Sequence, residues 1–255
     1  NLENSKSDLL FHRLAGVKTN LWPLVRWPIA VAMAETELNA VDVPQKLTRA
    51  MAISGLFKHF FRMSGDVSRL RHHRQALFLG SGGTLRQDAG GRTNWLLQPH
   101  AEIFGKSAAI IQTNPIDYTK GKAPTFPDTY SLFGANRWVD LQLRRNRMDG
   151  SQVAELRDWL DQVFEDLEVP IVKSARDKIL RQLIDRVNRS HYVVDQFERI
   201  FDRTQPGLLF VQGGFYGHHA PIIELAHDRN VYVAEHQHGW IGPAHGAYNF
   251  GEIGR

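Results

Sequence analysis

Leu208-Leu-Phe-Val-Gln-Gly-Gly214, His218-His-Ala-Pro-Ile-Ile-Glu-Leu-Ala-His-Asp-Arg229 and Val231-Tyr-Val-Ala-Glu-His-Gln-His-Gly239 follow one another almost without interruption. The first and third segments open as short apolar runs and end in glycine, the pattern of strands buried on both faces. The middle segment carries apolar residues at helical spacing. A strand, a helix and a second strand in this order form a βαβ unit, whose crossover is right-handed in nearly all known cases. Ligands of open α/β sheets sit outside the carboxyl ends of the strands. The polar clusters Gly213 to His219 and His236 to Tyr248 therefore fall on the edge where function is expected.

The same strand pattern recurs upstream in Gln75-Ala-Leu-Phe-Leu-Gly80 and in Ala108-Ala-Ile-Ile-Gln112, the latter closed by Thr113-Asn-Pro115. Amphipathic helical stretches separate the runs at about 128–147, 151–167, 174–201 and 218–229. In the stretch 174–201, Leu180, Leu183, Ile184, Val187, Val194, Phe197 and Phe201 share one stripe, and Ser174 with Asp177 has the form of a capping box. Alternating strands and helices define the expected fold class: α/β, a Rossmann-like parallel sheet with flanking helices. The chain before it reads differently. Residues Leu21 to Leu38 and Gln45 to Met63 show helical spacing, with Pro44 suited to a first turn. The expected division is a helical amino-terminal segment, 1–73, and a Rossmann-like domain, 74–255.

Composition narrows the function. Of 255 residues, 42% are hydrophobic and 23% charged, ordinary values for a globular chain. The absence of cysteine removes disulfide frameworks, thiolate metal sites and a cysteine nucleophile. The longest apolar run, Leu21 to Ala34, is interrupted by Pro23, Arg26 and Pro28 and is too short to span a bilayer. A formal charge of +4 is small for a nucleic-acid binder, and no stacking-aromatic motif is present. Nucleic acid is therefore not an expected partner. Arginines gather at Arg69, Arg71 and Arg74, beside His72 and His73, and again at Arg137, Arg144, Arg145 and Arg147. These clusters are either solvated helix faces or contacts for phosphate on a substrate or an anionic membrane.

Two glycine motifs invite a phosphate-loop reading and fail it. Gly80-Ser-Gly-Gly83 has Leu85 where the dinucleotide fingerprint needs its third glycine, and Gly105-Lys-Ser107 is preceded by His100 where a P-loop begins with glycine. The first, with Ser81, reads as a strand-end loop near substrate. The second carries no function. His236 and His238 would share a face of an extended strand end. With Glu235 and His245 they raise the question of zinc, but the spacing is poor for three or four convergent ligands, so no metal is expected. Substrate binding and proton transfer suit these imidazoles better.

The segment Val233-Ala-Glu-His-Gln-His-Gly-Trp-Ile-Gly-Pro-Ala-His-Gly-Ala-Tyr248 resembles part of bacterial surface-polysaccharide glycosyltransferases of the GT-B type. There a strand runs into a Gln-His-Gly turn, followed by a histidine and a tyrosine. Gln205-Pro-Gly-Leu-Leu-Phe-Val-Gln-Gly-Gly-Phe-Tyr216 is similar to the preceding strand and loop, and the likeness is specific over about 45 residues. It implies the amino-terminal, acceptor-binding half of such an enzyme, with a donor-binding domain expected after Arg255. By this resemblance His238 and His245 serve as base or hydrogen-bond partner of the acceptor. Gln237, Tyr248 and Tyr216 would hold sugar hydroxyls, with His218 beside them, while Gly213, Gly214 and Gly239 let backbone approach. The donor would be a nucleotide-sugar and no covalent cofactor is implied. The acceptor would be a glycan or lipid-linked glycan. The setting would be the cytoplasm, peripherally at the inner membrane face. Two rivals stay open: a non-catalytic binding or assembly module, and another sugar-nucleotide enzyme such as an epimerase on a similar scaffold.

Overall fold

The computed structural model describes residues 7–38, 66–80, 84–88, 90–113, 116, 123–143, 148–167, 171–213 and 219–236. Five strands form one parallel sheet: β1 (Ala76–Gly80), β4 (Ala108–Gln112), β5 (Thr129–Ser131), β6 (Leu208–Gln212) and β7 (Tyr232–His236), in the order β5-β4-β1-β6-β7. A separate antiparallel hairpin joins β2 (Leu85–Asp88) to β3 (Gly91–Asn94). The helices are α1 (Ser7–Leu10), α2 (Trp22–Leu38), α3 (Gln98–Phe104), α4 (Phe133–Leu143), α5 (Gly150–Leu167), α6 (Lys173–Thr204) and α7 (Ala220–Asp228). This is the Rossmann-like α/β sheet with flanking helices that the strand–helix alternation implies. β6 and β7 are parallel neighbours, with Leu208 opposite Tyr232 and Gln212 opposite His236.

β1 lies at the centre because every side chain it carries is apolar or absent. Alternate residues of a strand face opposite ways. Leu77 and Leu79 therefore join Ala109, Ile111, Leu209 and Val211 under α6 and α7, while Ala76 and Phe78 join Ala108 and Ile110 under α3. With both faces covered, the strand reads as a continuous apolar run and all five residues are buried.

The 32-residue α6 spans about 48 Å at 1.5 Å per residue. Its first half packs Ile179, Leu180, Leu183 and Val187 against α2 and α5, and its second half sets Val194, Phe197, Ile200 and Phe201 on the sheet. One helix thus belongs to two cores, and it ties residues 7–38 to the sheet. The stripe read from sequence is this face. It stops at Gln205, which takes the left-handed conformation (φ 47°) and donates its N–H to Phe201 O before Pro206.

Three expectations are corrected. Residues 128–147 are not one helix: Thr129–Ser131 form edge strand β5, and α4 begins only at Phe133, whose N–H donates to Ser131 Oγ. Ser174 and Asp177 form no capping box. Val172 holds the cap position without a side-chain bond, and Ser174 lies inside the first turn, past the place from which a hydroxyl caps. Arg74 is not part of a solvent-facing basic cluster. It is buried and paired with Asp128 at 2.9 Å. Arg69, Arg71, His72 and His73 are exposed, and His73 closely precedes β1 at the amino-terminal edge of the sheet. The expected helix at 45–63 and Arg144, Arg145 and Arg147 lie outside the described residues, as does the side chain of Arg137.

Candidate functional site at the carboxyl edge of the sheet

The chain leaves β1 toward one face, through the hairpin to α3, and leaves β6 toward the other, through α7. Diverging connections from neighbouring strands open a crevice at their carboxyl ends, the topological switch point at which open α/β sheets bind ligands. Because the five strands are parallel, Gly80, Gln112, Ser131, Gln212 and His236 all end on this edge.

Gly80 is required there by space. A Cβ at this position would meet Leu97 Cδ1 at 2.5 Å and Asn94 Nδ2 at 3.0 Å. Asn94 fixes the turn into α3 by accepting the N–H groups of Leu96 (3.2 Å) and Leu97 (3.0 Å) on its Oδ1. Its Nδ2 is buried without a hydrogen-bond partner, a donor held at the end of β1. Thr84 closes the crevice from the hairpin side by donating its hydroxyl to Gln212 Oε1 at 3.0 Å.

A second polar node stands beside it. Gln212 and His236 are register partners and therefore share a face of the sheet. On that face His100, from α3, stacks on Phe210 with ring centroids 4.9 Å apart, and its Nε2 lies 3.3 Å from His236 Nδ1. Sequence spacing groups His236 with His238; the fold groups it with His100. On the opposite side of β6, Gly213 turns with φ 68° and His219 folds back so that its Nδ1 lies 3.1 Å from Gly213 O. A carbonyl only accepts, so Nδ1 carries the proton. Burial holds this imidazole below its usual pKa, against the opposing pull of the Gly213 carbonyl and Glu235.

Of the site residues read from sequence, Gly213 is described, and it follows β6 at the carboxyl edge. Ser81, Gly214, Tyr216, His218, Gln237, His238, Gly239, His245 and Tyr248 lie outside the described residues. Sequence reasoning placed His219 on this edge within the Gly213 to His219 cluster, and missed Thr84, Asn94 and His100. Asn94 had a readable signal: an Asx residue just before Leu-Leu-Gln-Pro99, where proline marks a helix start. The others had none, since their partners lie far along the chain. Among the described residues no three His, Asp or Glu side chains converge as a metal site would require.

The fold and edge define the class: a doubly wound α/β domain with a polar crevice at its switch point. No family model, curated protein or solved structure matches the chain.

Proposed function

We propose that this chain is the acceptor-side half of a GT-B-type glycosyltransferase that transfers a sugar from a nucleotide-sugar to a growing cell-surface glycan. The observation that carries the reading is that β6 and β7 end side by side on one edge, at Gln212 and His236, beside the switch-point crevice. These strands belong to the two segments in which the resemblance is specific, Gln205 to Tyr216 and Val233 to Tyr248. Transfer to a hydroxyl needs an oriented acceptor and a group to take its proton. The crevice offers Asn94 as a donor, Gln212 and Thr84 as polar walls, and the imidazoles of His100 and His236 on the same face. His238 and His245, which follow β7 in sequence, are assigned to the acceptor hydroxyl.

The acceptor is read as lipid-linked and the protein as peripheral at the cytoplasmic membrane face. Among the described residues no helix is long and apolar enough to cross a membrane. Phe11 and Trp27 are exposed in the helical amino-terminal part, which suits shallow contact with a lipid surface.

The test is transfer of labelled sugar from a panel of nucleotide-sugars to glycolipid acceptor, using the full protein that contains this chain. His238→Ala should lower transfer about 10²- to 10⁴-fold. Its melting temperature should stay near that of the parent. Full transfer with a lowered melting point would make His238 structural and remove the assignment. Specific glycan binding without transfer from any donor would favour a binding module.

A further inference from the structure

On the face of the sheet opposite α3, a cavity of about 440 Å³ lies between the strand ends and helices α4, α6 and α7. That volume is within the range of small-molecule sites. Its apolar lining includes Leu79, Leu132 and Phe197, and its polar lining comprises Thr113, Asn136, Asp185, Arg189, Gln196 and His219. The crevice described above lies on the other side of β1 and β6, so the cavity adds a second pocket to the same edge.

The chemistry of the lining selects a ligand. Gln196 Nε2 is buried with no hydrogen-bond partner among the described residues, which leaves its desolvation uncompensated by them. His219 donates Nδ1–H to Gly213 O, and the neutral ring that burial favours keeps Nε2 as an acceptor. A donor and an acceptor that line one cavity are both satisfied by a hydroxyl group, which gives one hydrogen bond and takes another. A carboxylate, which only accepts, would satisfy only the amide, and the charge of a phosphate would go unpaired. Among the described lining residues one guanidinium is present, and it stands 3.6 Å from a carboxylate, Arg189 against Asp185, so these residues carry no excess positive charge for an anion. The apolar floor suits the C–H face of a sugar ring.

We propose that this cavity binds an uncharged polyhydroxylated ligand, a mono- or disaccharide, through a hydroxyl held between Gln196 and His219. The inference rests on the glycosyltransferase reading only for the choice of a sugar among neutral polyols; the site itself follows from the cavity and its two complementary groups.

The test uses saturation-transfer NMR and titration with methyl β-glucopyranoside, methyl β-galactopyranoside, the methyl glycoside of N-acetylglucosamine, and maltose, with inorganic phosphate as the charged probe. At least one sugar should bind and phosphate should not compete. Gln196→Leu should weaken that sugar about 3- to 10-fold, the loss of one net hydrogen bond, with the circular dichroism spectrum unchanged. If Gln196→Leu fails to fold, Thr113→Val replaces it with the same expected direction. Absence of binding by every sugar at tens of millimolar overturns the proposal. So does binding that neither variant weakens, and so does preference for phosphate. The two readings separate cleanly. Sugar binding that depends on Gln196 without any transfer activity keeps the cavity and removes the transferase. Transfer activity with binding indifferent to Gln196 does the reverse.

Discussion

His100 and His236 meet with 3.3 Å between Nε2 of one ring and Nδ1 of the other, although 136 positions separate them in the chain. One ring must donate and the other accept, so the neutral pair is complementary only in matched tautomers. The contact pins α3 to the end of β7, over Phe210, and so holds one wall of the carboxyl edge.

Coupling between the two rings should therefore be measurable. In urea unfolding, His100→Ala and His236→Ala should each destabilise the protein by about 1 kcal/mol, the usual net worth of one hydrogen bond with some packing. The double variant should cost less than the sum by at least about 0.5 kcal/mol, as for residues in direct contact. Strict additivity would show that the rings are neighbours without an energetic link.

That pair also marks where sequence reading stops. β1 and β4 were legible because strands with both faces buried must be apolar throughout, and β6 and β7 because their short apolar runs end in polar residues and glycine, signals that need no knowledge of partners. The long stripe of α6 was legible for the same reason. β5, at three residues on an edge, is too short for any period to appear. The hairpin carries Leu85-Arg-Gln-Asp88 and Gly91-Arg-Thr-Asn94, polar runs whose pairing depends on a tight turn. Just after that turn Gly91 takes φ 144°, and a Cβ there would strike Ala123 O, so the position needs glycine. The edge on which function falls followed from strand direction alone. Its tertiary partners, Thr84 with Gln212 and His100 with His236, did not, because nothing local to those residues encodes a neighbour more than a hundred positions away.

Two buried titratable groups should give the stability opposite dependences on pH. Burial raises the Glu224 carboxyl to about 7, against two weak bonds from the Asn20 N–H and the nearby charge of Arg13. A carboxyl that holds its proton more tightly when folded stabilises the protein below its ordinary value of 4.5, and that contribution is lost as pH rises to about 7. Relative to Glu224→Gln, the parent should fall in melting temperature across that interval and level off above it. His219 acts the other way. Its pKa is lowered by burial, so its contribution is full above the ordinary value of 6.5 and is lost as pH falls through the folded value. Relative to His219→Gln, the parent should lose stability on acidification. Parallel pH profiles for the parent and both variants would show that neither group titrates differently on folding.

Pro28 and Arg186 stand at the joint between the amino-terminal helices and the sheet. Pro28 lies inside α2 and has no N–H, so the carbonyl four residues earlier, that of Leu24, lacks its helical donor. Arg186 of α6 supplies the replacement by donating Nη1–H to Leu24 O. A proline within a helix is thus matched by an arginine reaching across from the helix that serves both cores. Removing the arginine should leave a buried carbonyl unpaired, at about 1 to 3 kcal/mol. Restoring the backbone donor should relieve much of that loss, because an alanine at position 28 can bond Leu24 O within α2. In chemical unfolding, Arg186→Leu should therefore destabilise strongly in the parent and by at least about 1 kcal/mol less in a Pro28→Ala background. Pro28→Ala alone should be neutral or stabilising if α2 keeps its course, since alanine is the better helix former. An equal cost of Arg186→Leu in both backgrounds would mean that the arginine acts through the packing of its stem and not through the carbonyl that proline exposes.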